Sequence, residues 1–201
     1  MELQKALAEI TAIREQVARA ETFRGYRALT AGFSGLLAFA AAAAQQAFIP
    51  RPQEQIGSYL TLWVSTAGVA MLVTVTEMGL RARRSRSDLE RQHTALAIEQ
   101  FLPCVLAGAV LTAVVARRAP DSLWVLPGLW AVLFSLGIFA SARLLPRWIF
   151  FVGAYYFLCG VVLLLHAGEG AVLAPWTMGF MFGIGQLAMA AVLYICLERR
   201  R

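Results

Sequence analysis

Six long apolar blocks, separated by short polar segments, dominate the pattern of the chain. Runs of about 18 or more apolar residues with few charges are typical of membrane-spanning helices. A helix suits this environment because it pairs its backbone amides internally, where no water is present. We therefore predict an all-α polytopic membrane protein with six transmembrane helices, at residues 28–49, 59–80, 100–116, 123–142, 146–167 and 172–197.

Residues 1–27 precede the first block and have a different pattern, in which apolar residues recur at three- and four-residue steps. This spacing places them on one side of a helix, with Glu and Arg on the others. The apolar positions are Leu3, Ala6, Ile10, Ile13, Val17 and Ala20. We predict an amphipathic cytoplasmic N-terminal helix that lies on the membrane surface, pairs with a second copy or packs on another cytoplasmic helix. The chain then divides into this helix, residues 1–27, and a six-helix transmembrane domain, residues 28–198.

A second polar stretch with helical character, SDLERQHTALAIEQFLPC, leads into the third block. It opens with Ser87 and, three residues later, Glu90, which is a capping-box pattern. No helix-breaking residue follows Asp88 until Pro103. The pattern predicts a helix of about three turns that runs into the third span or bends where it meets it.

Charge is sparse and strongly biased to one side of the predicted topology. Only 15% of the residues are charged, against roughly 25% in soluble domains. Of the 18 Lys and Arg residues, all but Arg51, Arg117 and Arg118 fall in the N-terminal segment, the second and fourth loops and the tail. Because basic residues mark the cytoplasmic side, both termini are predicted to be cytoplasmic. The net charge of +6 is thus explained by topology and by contact with anionic lipid, and it does not indicate a nucleic-acid partner.

Glycines recur at spacings that let membrane helices approach closely. The sixth block contains GFMFGIG, in which Gly179 and Gly183 have GxxxG spacing and Gly185 follows. Gly32 and Gly35 lie near the start of the alanine-rich first block. Such faces either close the bundle or join two copies of the chain, and we favour packing within one chain.

The stretches FLPCVLAGAVLTAVVARRAP, LWVLPGLWAVLFSLGIFAS and APWTMGFMFGIGQ carry a resemblance to known proteins. With their LAGAxLT and LPGLW patterns, they resemble a set of small six-span bacterial integral membrane proteins with no assigned activity, over roughly residues 10–197. The resemblance implies a fold of membrane helices and residence in a bacterial inner (plasma) membrane. It implies no activity, cofactor or catalytic residue.

One carboxylate, Glu77, lies inside an apolar block, three residues from its predicted cytoplasmic end. An ionisable group costs at least ~2.5–3.5 kcal/mol at the bilayer centre, so its depth matters. Arg81 follows four residues later, in the order that favours an ion pair along a helix, and we predict a local pair at the headgroup level. The alternative is a polar vestibule or proton-exchanging site. It would be formed by a cytoplasmic polar cluster at one predicted depth, consisting of Arg24, Arg27, Glu77, His93 and Glu99.

Polar side chains near the predicted middle of the membrane are few, and the main ones are Tyr155, Tyr156 and Gln186. A buried carboxamide needs hydrogen-bond partners, and a neighbouring tyrosine hydroxyl or serine would serve. We therefore expect an interhelical hydrogen bond of about 0.6 kcal/mol at Gln186. The alternative is that these mid-membrane polar residues contact a substrate in a small central cavity.

The sequence contains no catalytic motif and no metal-ligand spacing. His93 and His166 are predicted at opposite membrane surfaces, so a single haem cannot take both as ligands. We therefore expect no cofactor, no metal ion and no enzymatic activity.

Two classes of function remain. The first is a non-enzymatic accessory or regulatory membrane protein, surrounded by the lipid bilayer, that binds a protein partner through its basic cytoplasmic face. The second is a small transporter or channel-like protein with a polar mid-membrane site. We favour the first because the middle of the membrane holds so little charge. Whether the chain also forms a homo-oligomer is left open by the sequence.

Overall fold

The computed structural model describes residues 28–84, 88–142, 145–166 and 170–199, and within them the fold consists of helices without strands. Six α-helices follow one another: α1 Ala28–Phe48, α2 Ile56–Arg84, α3 Asp88–Arg118, α4 Leu126–Ser141, α5 Ile149–Leu165 and α6 Pro175–Leu193. Short 3₁₀ turns, Pro120–Val125 and Gly170–Leu173, lead into α4 and α6, and a π turn, Tyr194–Glu198, extends α6. The prediction of an all-α protein is confirmed.

Five helical segments in the described part of the chain are long and apolar enough to cross a membrane. They comprise α1, α2, the apolar part of α3, α4 with the 3₁₀ turn before it, and α6 with the start of its π turn. Helix α5 has 17 residues, which is the lower end of the range of ~17–25 residues for a transmembrane helix. The chain is therefore a multi-pass membrane protein in contact with the lipid bilayer.

The predicted helix at Asp88 and the third span form one element. Helix α3 runs without interruption from Asp88 to Arg118, so the prediction that the loop helix continues into the span is confirmed. Pro103 lies inside this helix, where its ring nitrogen cannot donate the usual backbone hydrogen bond. Membrane helices tolerate such a proline because neighbouring groups donate hydrogen bonds to the backbone carbonyl that it leaves unpaired. The predicted amphipathic helix at residues 1–27 lies outside the described residues.

Each helix contacts the next one along the chain, and the last helix, α6, packs against the first, α1. Four of the helices are well packed and two are peripheral. The most extensive contacts are those of α1 with α6 and of α4 with α5, and a smaller α5–α6 contact joins these two pairs. Helix α2 packs beside α1, and α3 packs beside α4. In the apolar spans of α1, α4 and α6, 39%, 44% and 39% of residues are buried, against 11% for α2 and 0% for α3. The core therefore lies among α1, α4, α5 and α6.

Glycines bring the paired core helices together. A Cβ atom added to Gly183 would lie 2.5 Å from the Phe39 ring, and one added to Gly179 would lie 2.5 Å from the Ala42 side chain, both on α1. On the opposite side of the contact, a Cβ at Gly35 would lie 3.0 Å from the backbone oxygen of Gly183. The GxxxG face thus closes the α1–α6 contact, and the prediction of packing within one chain is confirmed.

Aromatic side chains fill the centre of the core. Phe134 on α4 packs edge-to-face against Phe101 on α3, Tyr156 on α5 and Phe182 on α6, with ring centroids 5.3, 4.8 and 5.8 Å apart. Edge-to-face pairs at these separations add about 0.5–1.5 kcal/mol each beyond the burial of their area. This cluster joins four helices, α3, α4, α5 and α6.

Candidate functional site

A buried polar network at the predicted outer end of the bundle joins α1, α2 and the turn before α6. Gln45 on α1 is fully buried, and its Nε2 donates a hydrogen bond of 2.8 Å to the carbonyl of Leu173. Its Oε1 accepts a 2.7 Å hydrogen bond from Nε1 of Trp63 on α2. Both ends of the carboxamide are therefore satisfied, as burial away from water requires.

The sequence analysis missed the role of Gln45, although its spacing from the alanines of α1 indicates that it faces the core. Gln45 continues the buried stripe of Ala31, Ala38 and Ala42 at three-, four- and seven-residue steps, which places it on the face of α1 toward the core. The neighbouring Gln46 lies on the exposed side, where its Oε1 accepts a 2.7 Å hydrogen bond from Nε1 of Trp176. The pair of glutamines thus has a structural role in joining helices.

The mid-membrane polar residues are held by α6 in a way that differs from the prediction. The hydroxyls of Tyr155 and Tyr156 donate 3.3 Å hydrogen bonds to the carbonyls of Phe180 and Phe182. In the described part of the chain, the buried Oε1 of Gln186 accepts no hydrogen bond. The expectation that a tyrosine hydroxyl or a serine would satisfy this oxygen was wrong, because the two tyrosine hydroxyls donate to carbonyls of α6 that lie four and six residues earlier.

Gln186 lies on the side of α6 that packs against α1, whereas Tyr156 of α5 packs on another side of α6. The Cβ of Gln186 lies 3.3 Å from the position that a Cβ on Gly35 of α1 would take. The Tyr156 hydroxyl, from α5, instead lies directly against Gly185. The structure therefore places Gln186 beside α1, and it leaves a buried acceptor there that a ligand or a water molecule could use.

Glu77 pairs with Arg81 as predicted. Its Oε1 lies 3.4 Å from Nε of Arg81, and the two side chains are 27% and 34% exposed. The partial exposure lets both charges reach the boundary of the apolar region, which lowers the cost of placing them there. The prediction of a local ion pair is confirmed.

The cytoplasmic polar cluster stays a prediction. Glu99 lies on the exposed side of α3, while the side chain of His93, one and a half turns earlier in the same helix, is outside the described residues. Arg24 and Arg27 also lie outside the described residues. Of the proposed set, the structure describes the side chains of Glu77 and Glu99.

An apolar groove of about 510 Å³ separates α5 from α6 at the end of the bundle that carries Arg147 and Arg199. One side is lined by three residues of α5 and by the residue just before this helix, and the other side by three residues of α6 and two of the π turn. The lining residues are Trp148, Phe151, Val152, Tyr155, Ile184, Ala188, Val192, Ile195 and Cys196. The volume is in the range of ~300–1,000 Å³ that is typical of small-molecule sites, but the surface that lines the groove is almost entirely apolar.

Among the described residues, no three His, Cys, Asp or Glu side chains lie together as a metal site would require. Cys104, Cys159 and Cys196 are free thiols, each partly buried. The chain matches no protein-family model, no curated protein and no solved structure in the comparisons made.

Proposed function

We propose that this chain is a non-enzymatic accessory or regulatory protein of a bacterial inner membrane that binds a transmembrane helix of another protein. Both termini lie in the cytoplasm in this proposal, because fifteen of the 18 basic residues flank the spans on that side. A reporter fused after Arg201 tests the orientation, and a reporter that is active only outside the cytoplasm is expected to be silent. An active reporter would reverse the orientation and remove the cytoplasmic face from the proposal.

The uncovered face of α2 is the main support for a helical partner. Gly57, Gly68 and Gly79 are eleven residues apart, so they lie on one face of the helix. A Cβ atom at any of them would meet nothing within 4 Å, whereas the ten other glycines of the described α-helices would each meet a neighbour. Exposed glycines are typical of close helix contacts in membranes, and among the described residues no helix lies against these three, although the exposed Leu72 lies on the same side of α2.

Hydroxyl residues continue the same face. Thr61, Ser65 and Thr76 lie between the three glycines at helical spacing, and all three are exposed. The hydroxyls of Thr61 and Ser65 donate hydrogen bonds of 2.8 and 2.9 Å to carbonyls of their own helix. These small side chains therefore leave no hydroxyl without an acceptor on this face. Small and hydroxyl side chains favour helix–helix packing in membranes because they let two backbones approach closely.

The basic end of α2 indicates the charge of the partner. Arg83 is exposed at the end of α2 that the proposal places in the cytoplasm, whereas Arg81 is paired with Glu77. A partner helix with an acidic residue just beyond its cytoplasmic end would complement the charge of Arg83 and fix the orientation of the contact. This contact gives the basic cytoplasmic face a specific role in partner binding.

Site-specific photocrosslinking in native membranes tests the proposal. A photoreactive amino acid at Ser65, on the uncovered face, is compared with one at Leu158, which is 62% exposed on α5. We expect a discrete adduct with another membrane protein from position 65 and none from position 158. Gly68→Trp, which fills the face without an internal clash, should abolish the adduct, while Leu158→Trp should leave it unchanged.

Three outcomes would overturn the proposal. These are adducts with lipid alone at Ser65, an adduct with twice the mass of the chain, or a protein adduct that persists in Gly68→Trp. The second of these outcomes would assign the face to a second copy instead.

A small transporter or channel-like protein is the second candidate, and Gln186 is the observation that favours it. Its carboxamide oxygen is buried near the middle of α6 without a hydrogen-bond donor in the described part of the chain. A transported cation or polar solute could use such an acceptor. Proton and sodium fluxes into vesicles containing the purified chain test this function. Fluxes above those of empty vesicles that disappear in Gln186→Leu would favour transport over partner binding.

A further inference from the structure

The groove between α5 and α6 has the depth of one lipid leaflet. On α6 it extends from Ile184, near the middle of the helix, to Cys196 in the π turn. Twelve residues of helix rise about 18 Å. One leaflet contributes half of a hydrocarbon core of ~30 Å. The groove therefore begins near the bilayer midplane and ends near the headgroups.

The groove exists because the two helices are in contact at one end and apart at the other. Near the midplane, Tyr156 of α5 packs directly against Gly185 of α6. Toward the Arg147 end, the residues of α6 that line the groove include Ala188, whose small side chain fills little of the space between the helices. The hydroxyl of Tyr155 is directed to the carbonyl of Phe180, so this residue presents mainly its ring to the groove.

The end of the groove near the membrane surface combines an aromatic ring with basic residues. Trp148 lines this end and is 63% exposed, in keeping with the preference of tryptophan for the headgroup level. Arg147 precedes it and Arg199 follows the π turn, and both are exposed. The sequence adds further arginines beside these two, at positions that lie outside the described residues.

We propose that this groove binds one acyl chain of an anionic glycerophospholipid, with the lipid phosphate held by Arg147 and Arg199. The apolar walls match an acyl chain, because a site without polar groups cannot form hydrogen bonds with a polar solute. The two arginines supply the charge complementarity that selects an anionic headgroup over a zwitterionic one. The groove lies on α5 and α6, away from the uncovered face of α2, so this site and the proposed partner contact can be tested separately.

Photoactivatable lipids test the proposal on the full-length chain in phosphatidylcholine vesicles. A trace of probe with a diazirine in one acyl chain carries either a phosphatidylglycerol or a phosphatidylcholine headgroup, and labelled residues are mapped by peptide mass spectrometry. Groove residues should be labelled more than Leu136, which is 46% exposed on α4. The phosphatidylglycerol probe should exceed the phosphatidylcholine probe by roughly thirtyfold, because two basic residues act near the surface.

Matched variants separate the chain-binding part of the proposal from the headgroup-binding part. Ala188→Trp fills the groove and should reduce labelling by both probes to the Leu136 level, whereas Ala140→Trp, on the exposed side of α4, should change neither. The double variant Arg147→Gln/Arg199→Gln keeps the groove open and should equalise the two probes. Competition by unlabelled phosphatidylglycerol gives the same information on the unmodified chain.

The proposal is overturned if groove residues and Leu136 are labelled equally in the unmodified chain. It is also overturned if the two headgroups label the groove equally, or if the groove is not labelled because protein covers it. A second copy of the chain or a peptide in the groove would give the last of these outcomes.

Discussion

Gly160→Ala should open the contact between α4 and α5. A Cβ atom at this position would lie 2.8 Å from the backbone oxygen of Gly128 and 3.0 Å from the backbone nitrogen of Val132. Both neighbours are main-chain atoms of α4, so a side-chain rotation cannot relieve the clash. Because carbon contacts favour separations of about 3.5–4.0 Å, the two helices would have to move apart locally by about 0.7 Å.

The expected loss of stability follows from this separation. A radial gap of 0.5–1 Å forfeits about a quarter to a half of the attraction of each atom pair that it separates. The α4–α5 contact is one of the two most extensive in the protein. Overpacking of a well-packed core typically costs about 1–3 kcal/mol, and we expect Gly160→Ala to lower the free energy of unfolding by that amount. Gly68→Ala is the matched control, because a Cβ there meets nothing within 4 Å, and its effect should stay within about 0.5 kcal/mol.

Reversible unfolding of the purified chain in mixed detergent micelles, with an increasing fraction of a denaturing detergent, measures both variants. The difference between Gly160→Ala and Gly68→Ala is the quantity of interest, since both replace glycine by alanine within a membrane helix. Equal stability of the two variants would refute the tight α4–α5 contact on which the packing description depends.

The same unfolding measurement checks three further substitutions. Gln45→Leu removes both hydrogen bonds of a buried carboxamide, including the one from Trp63, and should destabilise the chain by about 1–3 kcal/mol for each partner left unsatisfied. Gln186→Leu removes a buried oxygen without a donor and should be neutral or stabilising, and a loss above about 1 kcal/mol would show that the oxygen is bonded. Glu77→Gln breaks a partly exposed pair with Arg81 and should change stability by less than about 1 kcal/mol, whereas a larger loss would indicate a wider charge network.

Local features of the chain were predictable because short-range spacing determines them. Close packing of one face of α6 within the chain followed from the GxxxG spacing of Gly179 and Gly183, although α1 was not predicted as the partner helix. The ion pair of Glu77 followed from Arg81 four residues later. The six helices followed from the length of apolar runs, although α5 is shorter than its predicted span because it begins at Ile149. In each case the interacting residue lies on the same helix, or the spacing of residues within one helix reveals its packing face.

Which helices are peripheral could not be predicted from the sequence. Helix α3 is at least as apolar as α1, yet its apolar span has no buried residue. Lipid and protein interior are equally apolar, so hydropathy does not distinguish a lipid-facing helix from a packed one. The groove could not be predicted either, because residues of two different helices line it, and the close contact between these helices is made elsewhere, at Tyr156 and Gly185.

The short α5 has a consequence for the membrane around the protein. Its 17 residues rise only about 26 Å, whereas the apolar part of α2, Ile56–Arg81, rises about 39 Å. A hydrocarbon core of ~30 Å is too thick for the first and too thin for the second, so the bilayer has to thin beside α5 while α2 tilts. Such mismatch costs a fraction of a kcal/mol per ångström, and a change in bilayer thickness that relieves it at one of these helices increases it at the other. The protein thus presents a thin edge and a thick edge to the lipid, which would orient it at boundaries between membrane regions of different thickness.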